Sequence, residues 1–411
     1  MITSDSGLNW LTPLLASWRN QRAWVLEHQI AIARTAAPTG NESERAALLQ
    51  RDWLTCGHAV ARDRVGNVLT RIVPAPSRDV SEDRPLVCLA HLDTVFEADE
   101  PLSVRQEGSR VYCPGIGDNG RGLAAMSVLA RVLQQPDVRG RLRRPIDLVL
   151  TVGEEGEGNL RGATQWFDDA ATRGSSPIAA VAIDGPGDRT IVHHAVGSHR
   201  LRITFTGVGG HSWANATTPN PVHAAGACIA AIARLADAAR PYGVVTVTRM
   251  HGGEHLTGVP TQAWLDVDIR SLETARLHSI RNELRRIVAE AAQNESAREP
   301  ALALRHTVTP LGDRPAGVID DRHPLVRAAA VATRAVGRTP QSASASTDAN
   351  VPLSRGIPAI AIGAGGSGSA AHTANEWYDD AQSEIGLERV IRLVVALGTT
   401  DYLPGDVVSL V

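Results

Sequence analysis

The sequence predicts an α/β protein with a mostly parallel sheet, helices on both faces, and a smaller α+β domain inserted into it. Strand-like and helix-like segments alternate over the first half of the chain, as they do in parallel sheets. The alternation stops near Ser198, where "HRLRITFTGV" alternates polar and apolar residues, as a half-exposed antiparallel strand does. The α/β pattern resumes after "GDRPAG". Together these three observations indicate one interrupted domain and one insertion.

The elements of the larger domain are predicted as follows. "NESERAALLQRDW" begins with an N-cap pattern, Asn41 with Glu44 three residues later, and continues with helical apolar spacing. Next come "PLVCLA" as a strand, "GLAAMSVLARVLQ" as a helix, "PIDLVLTV" as a strand, "ATQWFDDAATR" as a helix and "IAAVAI" as a strand. After the insertion, "HPLVRAAAVATRAVG" is a helix, "IPAIAIG" a strand and "SEIGLERVIRLVVALGTT" a helix.

The middle of the chain predicts a different order of elements. The strand "HRLRITFTGV" is followed by the helix "PVHAAGACIAAIARLADAAR", the strands "YGVVTVTRM" and "TQAWLDVDIR", the helix "ARLHSIRNELRRIVAEAAQ" and the strand "ALALRHTV". This is the order of a ferredoxin-like split β-α-β fold. We therefore predict a larger domain built from residues 1–197 and 313–411, with an inserted domain at residues 198–312.

The composition excludes several classes of function. The chain has 411 residues and a net charge of −3, so neither nucleic-acid binding nor attraction to an anionic membrane is indicated. It contains no lysine, and all 41 basic residues are arginine. Schiff-base catalysis, pyridoxal phosphate anchoring and the P-loop lysine are therefore excluded.

The cysteines and the N-terminus predict a cytoplasmic enzyme. The four cysteines are scattered without C-x-x-C spacing, so we expect reduced thiols and neither a disulfide framework nor a zinc knuckle. "MITSDSGLNWLTPLLASWRN" lacks the basic start and the cleavage site of a secretory signal. We see no apolar run that predicts a membrane span, so no membrane association is expected.

Acidic and imidazole side chains follow the predicted strands. They are His91 and Asp93 after "LVCLA", Asp118 in the loop "GIGDNGRG", Glu154 and Glu155 after "DLVLTV", Asp184 after "AAVAI", and His372 after "PAIAI". The carboxyl ends of parallel strands share one edge of the sheet, where ligands bind. We therefore expect these side chains to converge on one crevice.

A metal pair explains why such a cluster would be buried. Each unpaired ionised carboxylate in the interior carries a large desolvation cost, which divalent cations remove. Imidazole nitrogens and carboxylate oxygens suit zinc, with manganese or cobalt as possible substitutes. Two ions ~3.5–4 Å apart form a recurrent hydrolytic site. Taken singly, these motifs more often mark a surface pair, a solvated turn or a core histidine than a metal site.

Seven motifs together resemble a known family. They are "AHLDTVF", "GIGDNGRGLAAM", "TVGEEGEGNLRG", "AIDGPG", "GVGGHSW", "STDANVPLSRGIPAIAIG" and "HTANEWYDD". The chain resembles the two-metal exopeptidases and deacylases, a family that includes peptidase T, carboxypeptidase G, aminoacylase and acetylornithine deacetylase, and is most similar to its peptidase T-like branch. The resemblance implies a catalytic domain with an inserted lid and dimerisation domain, and hence a homodimer.

The resemblance also implies roles for single residues of the larger domain. His91 and Asp184 would hold one metal, Glu155 and His372 the other, and Asp118 would bridge the two. Asp93 would accept a hydrogen bond from His91 and fix its tautomer. Glu154, next to a ligand but not itself a ligand, would be the general base. A cis peptide is implied between Asp118 and Asn119.

In the inserted domain, the resemblance implies two further contacts with the substrate. His211 of "GVGGHSW" would donate to the oxyanion in the active site of a partner subunit. Arg270, at the end of "WLDVDIR", would bind the substrate carboxylate, which suits the two-pronged guanidinium. Thr257 stands where the family places an asparagine near the scissile carbonyl. With Gly365 of the 363–366 loop, Thr257 and Arg270 would line the substrate pocket.

Two further departures separate this chain from many relatives. Gly120 occupies a position two residues after the bridging aspartate where many relatives carry a lysine. Asn375 of "HTANEW" stands where relatives often have an acid. The first departure is typical of the peptidase T-like branch, and the second has no assigned consequence.

The expected function is metal-dependent hydrolysis of an amide bond in a small substrate that carries a carboxylate. The resemblance favours a peptidase T-like exopeptidase. An N-acyl amino acid deacylase, or an amidohydrolase acting on a non-peptide C–N bond, would use the same metal site. A third hypothesis is a non-catalytic metal-binding scaffold, which should have lost the base or a ligand first. The ligand set and Glu154 are all present.

Overall fold

The computed structural model describes residues 5–75 and 84–400. The ends of the predicted larger domain, residues 1–4 and 401–411, lie outside this range. The chain divides into two compact units, one within Met1–Ala195 and Val318–Val411 and the other at Val196–Gly317. We call them the sheet unit and the inserted unit. The predicted fold class, a mostly parallel α/β sheet with an insertion, is confirmed.

The helices of the described chain are numbered in order. They are α1 (Thr12–Asn20), α2 (Arg22–Ala33), α3 (Ser43–Thr55), α4 (Gly120–Gln134), α5 (Pro136–Arg139), α6 (Arg161–Thr172), α7 (Pro221–Ala239), α8 (Thr274–Ser296), α9 (Pro324–Ala335), α10 (Asn350–Ser354) and α11 (Ser383–Thr399). Short 3-10 turns occur at Asp5–Leu11, Gly156–Gly158 and Pro300–Leu302.

The strands are numbered in the same way. They are β1 (Ala61–Arg62), β2 (Val68–Ile72), β3 (Leu86–His91), β4 (Arg105–Glu107), β5 (Arg110–Tyr112), β6 (Ile146–Thr151), β7 (Ala179–Ile183), β8 (Thr190–Ala195), β9 (Gly197–Thr206), β10 (Gly210–His211), β11 (Val244–Gly252), β12 (Gly258–Val259), β13 (Gln262–Ser271), β14 (Arg305–Arg314), β15 (Gly317–Val318), β16 (Gln341–Ala345), β17 (Ala359–Ile362), β18 (Ser367–Ser369) and β19 (Trp377–Asp379).

Four parallel strands form the centre of the main sheet. Its order is β1-β2-β6-β3-β7-β17-β8-β15, with β16 pairing on β8. The pairs β6–β3, β3–β7 and β7–β17 are parallel, whereas β2 and β8 join this centre in antiparallel fashion. Strands β3, β6, β7 and β17 are buried along their whole length, as continuous apolar runs in covered parallel sheets are.

Helices cover both faces of this sheet. Alternate residues of β3 point to opposite sides, so that Cys88 joins a core with the helices α2, α3, α4, α9 and α11. Leu89, one residue on, joins a second core with α6 and α10, which includes Trp166. Helix α4 is buried on nearly all sides, as expected for a helix enclosed by other elements.

A small antiparallel sheet carries one of the predicted ligands. Its order is β18-β19-β5-β4, and the loop between β18 and β19 contains His372. Tyr378 of β19 is fully buried and packs in a separate small core with Val111 of β5. The loop is therefore held at both ends by a packed sheet.

The inserted unit has the topology that its sequence predicts. The four strands of its larger sheet lie in the order β11-β13-β9-β14, and every pair is antiparallel. If β9, β11, β13 and β14 are counted as strands 1 to 4, their order in the sheet is 2-3-1-4, which is the order of a ferredoxin-like fold. Helices α7 and α8 contribute Cys228, Ile232, Leu277 and Leu284 to its own hydrophobic core.

Helix α7 meets the length and composition criteria for a membrane span, contrary to the expectation that no segment would. The same criteria are met by helices that pack on a sheet. Within the inserted unit, α7 buries Ala224, Cys228 and Ile232 against its strands and α8. The criterion alone therefore gives only weak evidence for a membrane.

Two local predictions were wrong. The N-cap of α3 is Glu42, and not Asn41. The carboxylate of Glu42 instead accepts hydrogen bonds from the backbone N–H groups of Gly40 and Gly153, outside the helix. The last strand of the inserted unit begins at Arg305, four residues later than predicted, because a 3-10 turn occupies Pro300–Leu302.

Candidate metal centre

The predicted ligands lie where the central strands of the sheet unit end. His91 is the last residue of β3, Glu154 and Glu155 follow β6, and Asp184 follows β7 directly. Asp118 lies in the loop before α4, which packs against β3 and β7. The parallel direction of the strands thus brings these side chains to one edge.

Asp118 lies between the two histidines. Its Oδ1 is 3.0 Å from Nε2 of His91, and its Oδ2 is 3.1 Å from Nε2 of His372. One carboxylate oxygen therefore faces each imidazole, which is the geometry of a bridging ligand.

A second carboxylate accompanies each histidine. Nε2 of His91 is 3.7 Å from Oδ1 of Asp184, and Nε2 of His372 is 2.9 Å from Oε1 of Glu155. The five side chains thus form two halves, one with His91 and Asp184 and the other with His372 and Glu155. Single ligand atoms of His91, Asp118 and Glu155 all lie within 4.8 Å of one another.

The charges of the cluster are coupled. Hydrogen bonds to Asp118 and Glu155 raise the pKa of His372 to about 10. Burial opposes protonation of His91, but its hydrogen bonds with Asp118 and Asp184 raise its pKa well above the usual value. Burial would raise the pKa of Asp118, yet the two histidines hold it below its usual range. Positive charge at this place is therefore strongly favoured.

The donor set fits a pair of divalent cations. In protein without metal, the raised pKa values of the two imidazoles favour protons at this place. A metal can replace these protons, since imidazole binds metals in its neutral form. Two imidazoles, a bridging carboxylate and one further carboxylate for each half would hold two ions.

Asp93 organises the loop that carries the two glutamates. Its carboxylate accepts hydrogen bonds from the backbone N–H groups of Glu154 and Glu155, both at 2.9 Å, and from the hydroxyl of Thr39 at 2.8 Å. Nδ1 of His91 is 3.1 Å from the carbonyl oxygen of Asp93 but 3.7 Å from its carboxylate. The backbone carbonyl is thus the nearer of the two acceptors that Asp93 offers to His91.

Glu376 supports the loop that carries Asp118, and the sequence analysis missed it. Its buried carboxylate accepts hydrogen bonds from the backbone N–H groups of Gly115 at 2.7 Å, Gly117 at 2.8 Å and Asp118 at 3.0 Å. Burial raises the pKa of Glu376. Glu376 follows His372 by four residues in the chain. It therefore connects the segment that carries His372 to the loop that carries Asp118. The adjacent Asn375 is exposed.

Asn119 links the Asp118 loop to the end of β7. Its amide donates to the carbonyl of Ile183 at 3.0 Å, and its side-chain oxygen accepts from the N–H groups of Gly122 and Gly185. The Asp118–Asn119 peptide is cis, as the resemblance implied. Asp118 and Asp184 are therefore positioned by one shared side chain.

Asp348 is a second acid that the sequence analysis left unassigned. It lies in "STDANV", is almost fully buried, and accepts a hydrogen bond from the hydroxyl of Thr151 at 2.5 Å. Burial raises its pKa to about 6, and the carboxylates of Asp93 and Asp184 act in the same direction.

In the inserted unit, His211 and Thr257 are neighbours. Strands β10 and β12 form a two-stranded ribbon in which His211 pairs with Gly258, and the N–H of Ser212 donates to the carbonyl of Thr257 at 2.9 Å. Both His211 and Thr257 are exposed. We call residues 209–215 and 255–260 the ribbon.

Arg270 lies at the other end of the same sheet. The ladder of β9 and β13 begins beside the ribbon with the pair Thr206 and Gln262. Arg270 lies eight residues after Gln262 in β13, which corresponds to ~26 Å along the strand. There Nε of Arg270 donates to the carboxylate of Asp268 at 2.8 Å. The structure does not bring Arg270 next to His211.

Gly365 is held within the sheet unit. It is buried, its N–H donates to the carbonyl of Gly187, and its carbonyl accepts from the hydroxyl of Tyr378 at 3.3 Å. With a φ of +98°, and with the carbonyl of Ser383 2.1 Å from where a Cβ would lie, the position requires glycine. Its backbone groups are thus engaged within the fold.

The fold and this cluster define the class of metal-binding hydrolases. The family model described as "Peptidase family M20/M25/M40" matches residues 87–396. The chain belongs to this family, which confirms the resemblance predicted from the motifs. No curated protein matches the chain at the level of sequence.

Solved structures share the fold along nearly the whole chain. A tripeptidase from Staphylococcus aureus has 20% identity and a TM-score of 0.76, covering 92% of this chain and 99% of its own. A dinuclear metal-binding peptidase of the M20 family from Bacillus subtilis has 16% identity and a TM-score of 0.66, covering 93% and 100%. An amidase of the hydantoinase/carbamoylase family from Burkholderia vietnamiensis has 17% identity and a TM-score of 0.68, covering 93% and 98%. Such low identities establish the fold alone.

Proposed function

We propose that the protein is a cytoplasmic two-metal exopeptidase, peptidase T-like, that cleaves an amide bond in a small peptide with a free carboxylate. The observation that carries this proposal is the position of Asp118 between two histidines, each accompanied by a second carboxylate. Zinc is the expected metal, with manganese or cobalt as substitutes.

The residues of the chain would divide the reaction between them. When bound, two divalent ions polarise the scissile carbonyl and lower the pKa of a bound water. Glu154 takes the proton of the attacking water and passes it to the leaving nitrogen. His211 donates a hydrogen bond to the oxyanion, and Arg270 binds the substrate carboxylate.

We further propose that the working enzyme is a homodimer formed through the inserted unit. His211 and Arg270 lie at opposite ends of one sheet ladder, whose eight-residue span is longer than a dipeptide. This separation supports a site to which a second copy contributes His211. A monomer prepared by dilution should be folded and nearly inactive; full activity of a monomer, verified by sedimentation, would contradict this arrangement.

The first experiment combines metal analysis with turnover of a tripeptide. We expect about two metal ions per chain, loss of cleavage on chelation, and recovery with zinc or manganese. Absence of metal under loading conditions would overturn the site itself. Bound metal without peptide cleavage would overturn the peptidase assignment while leaving the site intact.

A second candidate is an amidohydrolase or a deacylase of N-acyl amino acids. It is favoured by the fold shared with the hydantoinase/carbamoylase-type amidase, and it requires no change in the metal site. A panel of di- and tripeptides against N-acetyl, N-succinyl and N-carbamoyl amino acids separates the two functions. A metal-loaded protein that cleaves none of these would favour a binding scaffold.

A further inference from the structure

The ribbon holds the ring of His211 in a defined orientation. Nδ1 of His211 accepts hydrogen bonds from the backbone N–H groups of Trp213 at 3.2 Å and Ala214 at 3.4 Å. Backbone N–H groups only donate, so Nδ1 must act as an acceptor and cannot carry a proton in this arrangement. In the neutral ring, the proton is then on Nε2.

The backbone of His211 is fixed from the same turn. Oδ1 of Asn215 accepts from the N–H of His211 at 2.9 Å, and the N–H of Asn215 donates to the carbonyl of His211 at 2.8 Å. Gly210 has a φ of +154°, and a Cβ on it would lie 2.7 Å from the Asn215 side chain. The segment "GGHSWAN" therefore contains both the histidine and the groups that orient it.

The other ring nitrogen faces no partner. In the described part of the chain, Nε2 of His211 has no hydrogen-bond partner, and the residue is exposed. A developing oxyanion is stabilised by a hydrogen-bond donor of fixed direction. With its proton on Nε2, the outward-facing nitrogen, His211 meets this requirement.

We propose that the turn at residues 212–215 is a positioning device, which locks His211 as the Nε2–H tautomer and directs this single donor outward. The inference rests on the proposed function for its catalytic meaning, because the donor acts on a substrate only if His211 serves an active site. The tautomer itself depends on the ribbon alone. Trp213, Ala214 and Asn215 are then positioning residues and do not touch the reacting atoms.

The chain contains a reference for this tautomer. His323 caps α9 by accepting the N–H of Leu325 on Nδ1 at 3.2 Å. It uses the same ring nitrogen in a purely structural role. Its spectroscopic signature therefore calibrates that of His211 within one sample.

The test is the nitrogen spectrum of the ring in the full, metal-loaded protein labelled with ¹⁵N-histidine. The His211 signals are those absent from His211→Gln, and the His323 signals those absent from His323→Gln. We expect His211 and His323 to show the same neutral tautomer, with the proton on Nε2. A proton on Nδ1, or an even mixture of tautomers, would overturn the inference.

Matched variants of Trp213 test the role of the backbone donors. Trp213→Pro removes the N–H group, whereas Trp213→Ala keeps it and changes only a side chain that is 88% exposed. We expect Trp213→Pro to mix the tautomers and to lower kcat about tenfold relative to Trp213→Ala, with KM unchanged. Equal spectra and equal kcat in the two variants would show that the backbone N–H group of residue 213 does not set the tautomer of His211.

Two further pairs cover the case in which Trp213→Pro does not fold. Ala214→Pro removes the second donor, with Ala214→Ser as its control. Asn215→Asp keeps an acceptor oxygen for the N–H of His211, and Asn215→Ala removes it, so only the latter should lower kcat. If the wild type hydrolyses nothing, the proposed function fails while the spectrum still decides the tautomer. If it hydrolyses peptides with the proton on Nδ1, this inference fails alone.

Discussion

The sheet unit and the inserted unit fix their candidate functional groups by different physical means. In the sheet unit, Glu154 and Glu155 are 4% and 7% exposed, and like charges are held together by buried hydrogen bonds. In the inserted unit, His211 and Thr257 are exposed and are oriented by the backbone of a two-stranded ribbon. The first site concentrates charge and needs cations, whereas the second presents exposed polar side chains on a hydrogen-bonded backbone.

This difference implies that the two regions fail differently when they are changed. Substitutions around the buried cluster should alter metal binding or the proton transfer that depends on it. Substitutions in the ribbon should leave the metal unaffected and change only the rate of the chemical step. The predictions below test this separation, from the largest expected effect to the smallest.

The largest effect is expected from Glu154→Gln. The change removes the proposed base without altering the size of the side chain, and we expect kcat to fall by about 10³-fold or more. Metal content should remain that of the wild type, as measured by elemental analysis. Near wild-type turnover with full metal would show that the base lies elsewhere.

The next effect is expected from His211→Ala. Loss of one oxyanion donor should lower kcat by about 10²-fold, with metal content and thermal stability unchanged because the side chain is exposed. His211→Gln, whose amide can replace the outer donor, should recover part of the loss. A fall in metal content in His211→Ala would break the separation between the two regions.

A smaller effect is expected from Glu376→Gln. The glutamine keeps one acceptor oxygen for the three N–H groups that the carboxylate now serves, so the loop bearing Asp118 should loosen. We expect metal affinity to fall by about tenfold, as for other residues that support metal ligands. Asn375→Ala, at the exposed neighbouring position, is the control and should bind metal normally. Equal affinities of both variants would contradict the role of Glu376.

These predictions depend on features that the sequence reveals to different degrees. His91, Glu155 and Asp184 could be predicted because parallel strands end at one edge, so that a strand followed by an acid or imidazole already indicates a shared site. The order of elements in the inserted unit could also be predicted, because the change from apolar runs to alternating residues marks a change of sheet type.

The supporting residues were not predictable in the same way. Glu376 and Asp348 lie outside regular strands, and their hydrogen-bond partners belong to segments more than 190 residues away. The carboxylate of Glu42 likewise accepts a hydrogen bond from Gly153, which is distant in sequence. The hydrogen bonds that orient His211 differ from these contacts because they are local in sequence. Their donors lie two and three residues after His211, but only the geometry of the turn shows that both point to Nδ1.

The smallest predicted effect concerns pH and the protein without metal. The pKa of His372 is raised to about 10 by Asp118 and Glu155. A group whose pKa is raised on folding contributes stability that is full below its unfolded value, near 6.5, and is lost as pH rises through about 10. Metal-free protein should therefore lose stability between pH 7 and 10.

His372→Gln supplies the control, because glutamine does not titrate in this range. We expect the metal-free wild type to lose about 1–3 °C more in Tm than His372→Gln, since a half-exposed ion pair contributes little. Bound metal replaces the proton on His372, so the difference should vanish in metal-loaded protein, and metal affinity should rise with pH. Identical pH profiles for the metal-free wild type and His372→Gln would mean that the charges of the buried cluster are balanced in some other way.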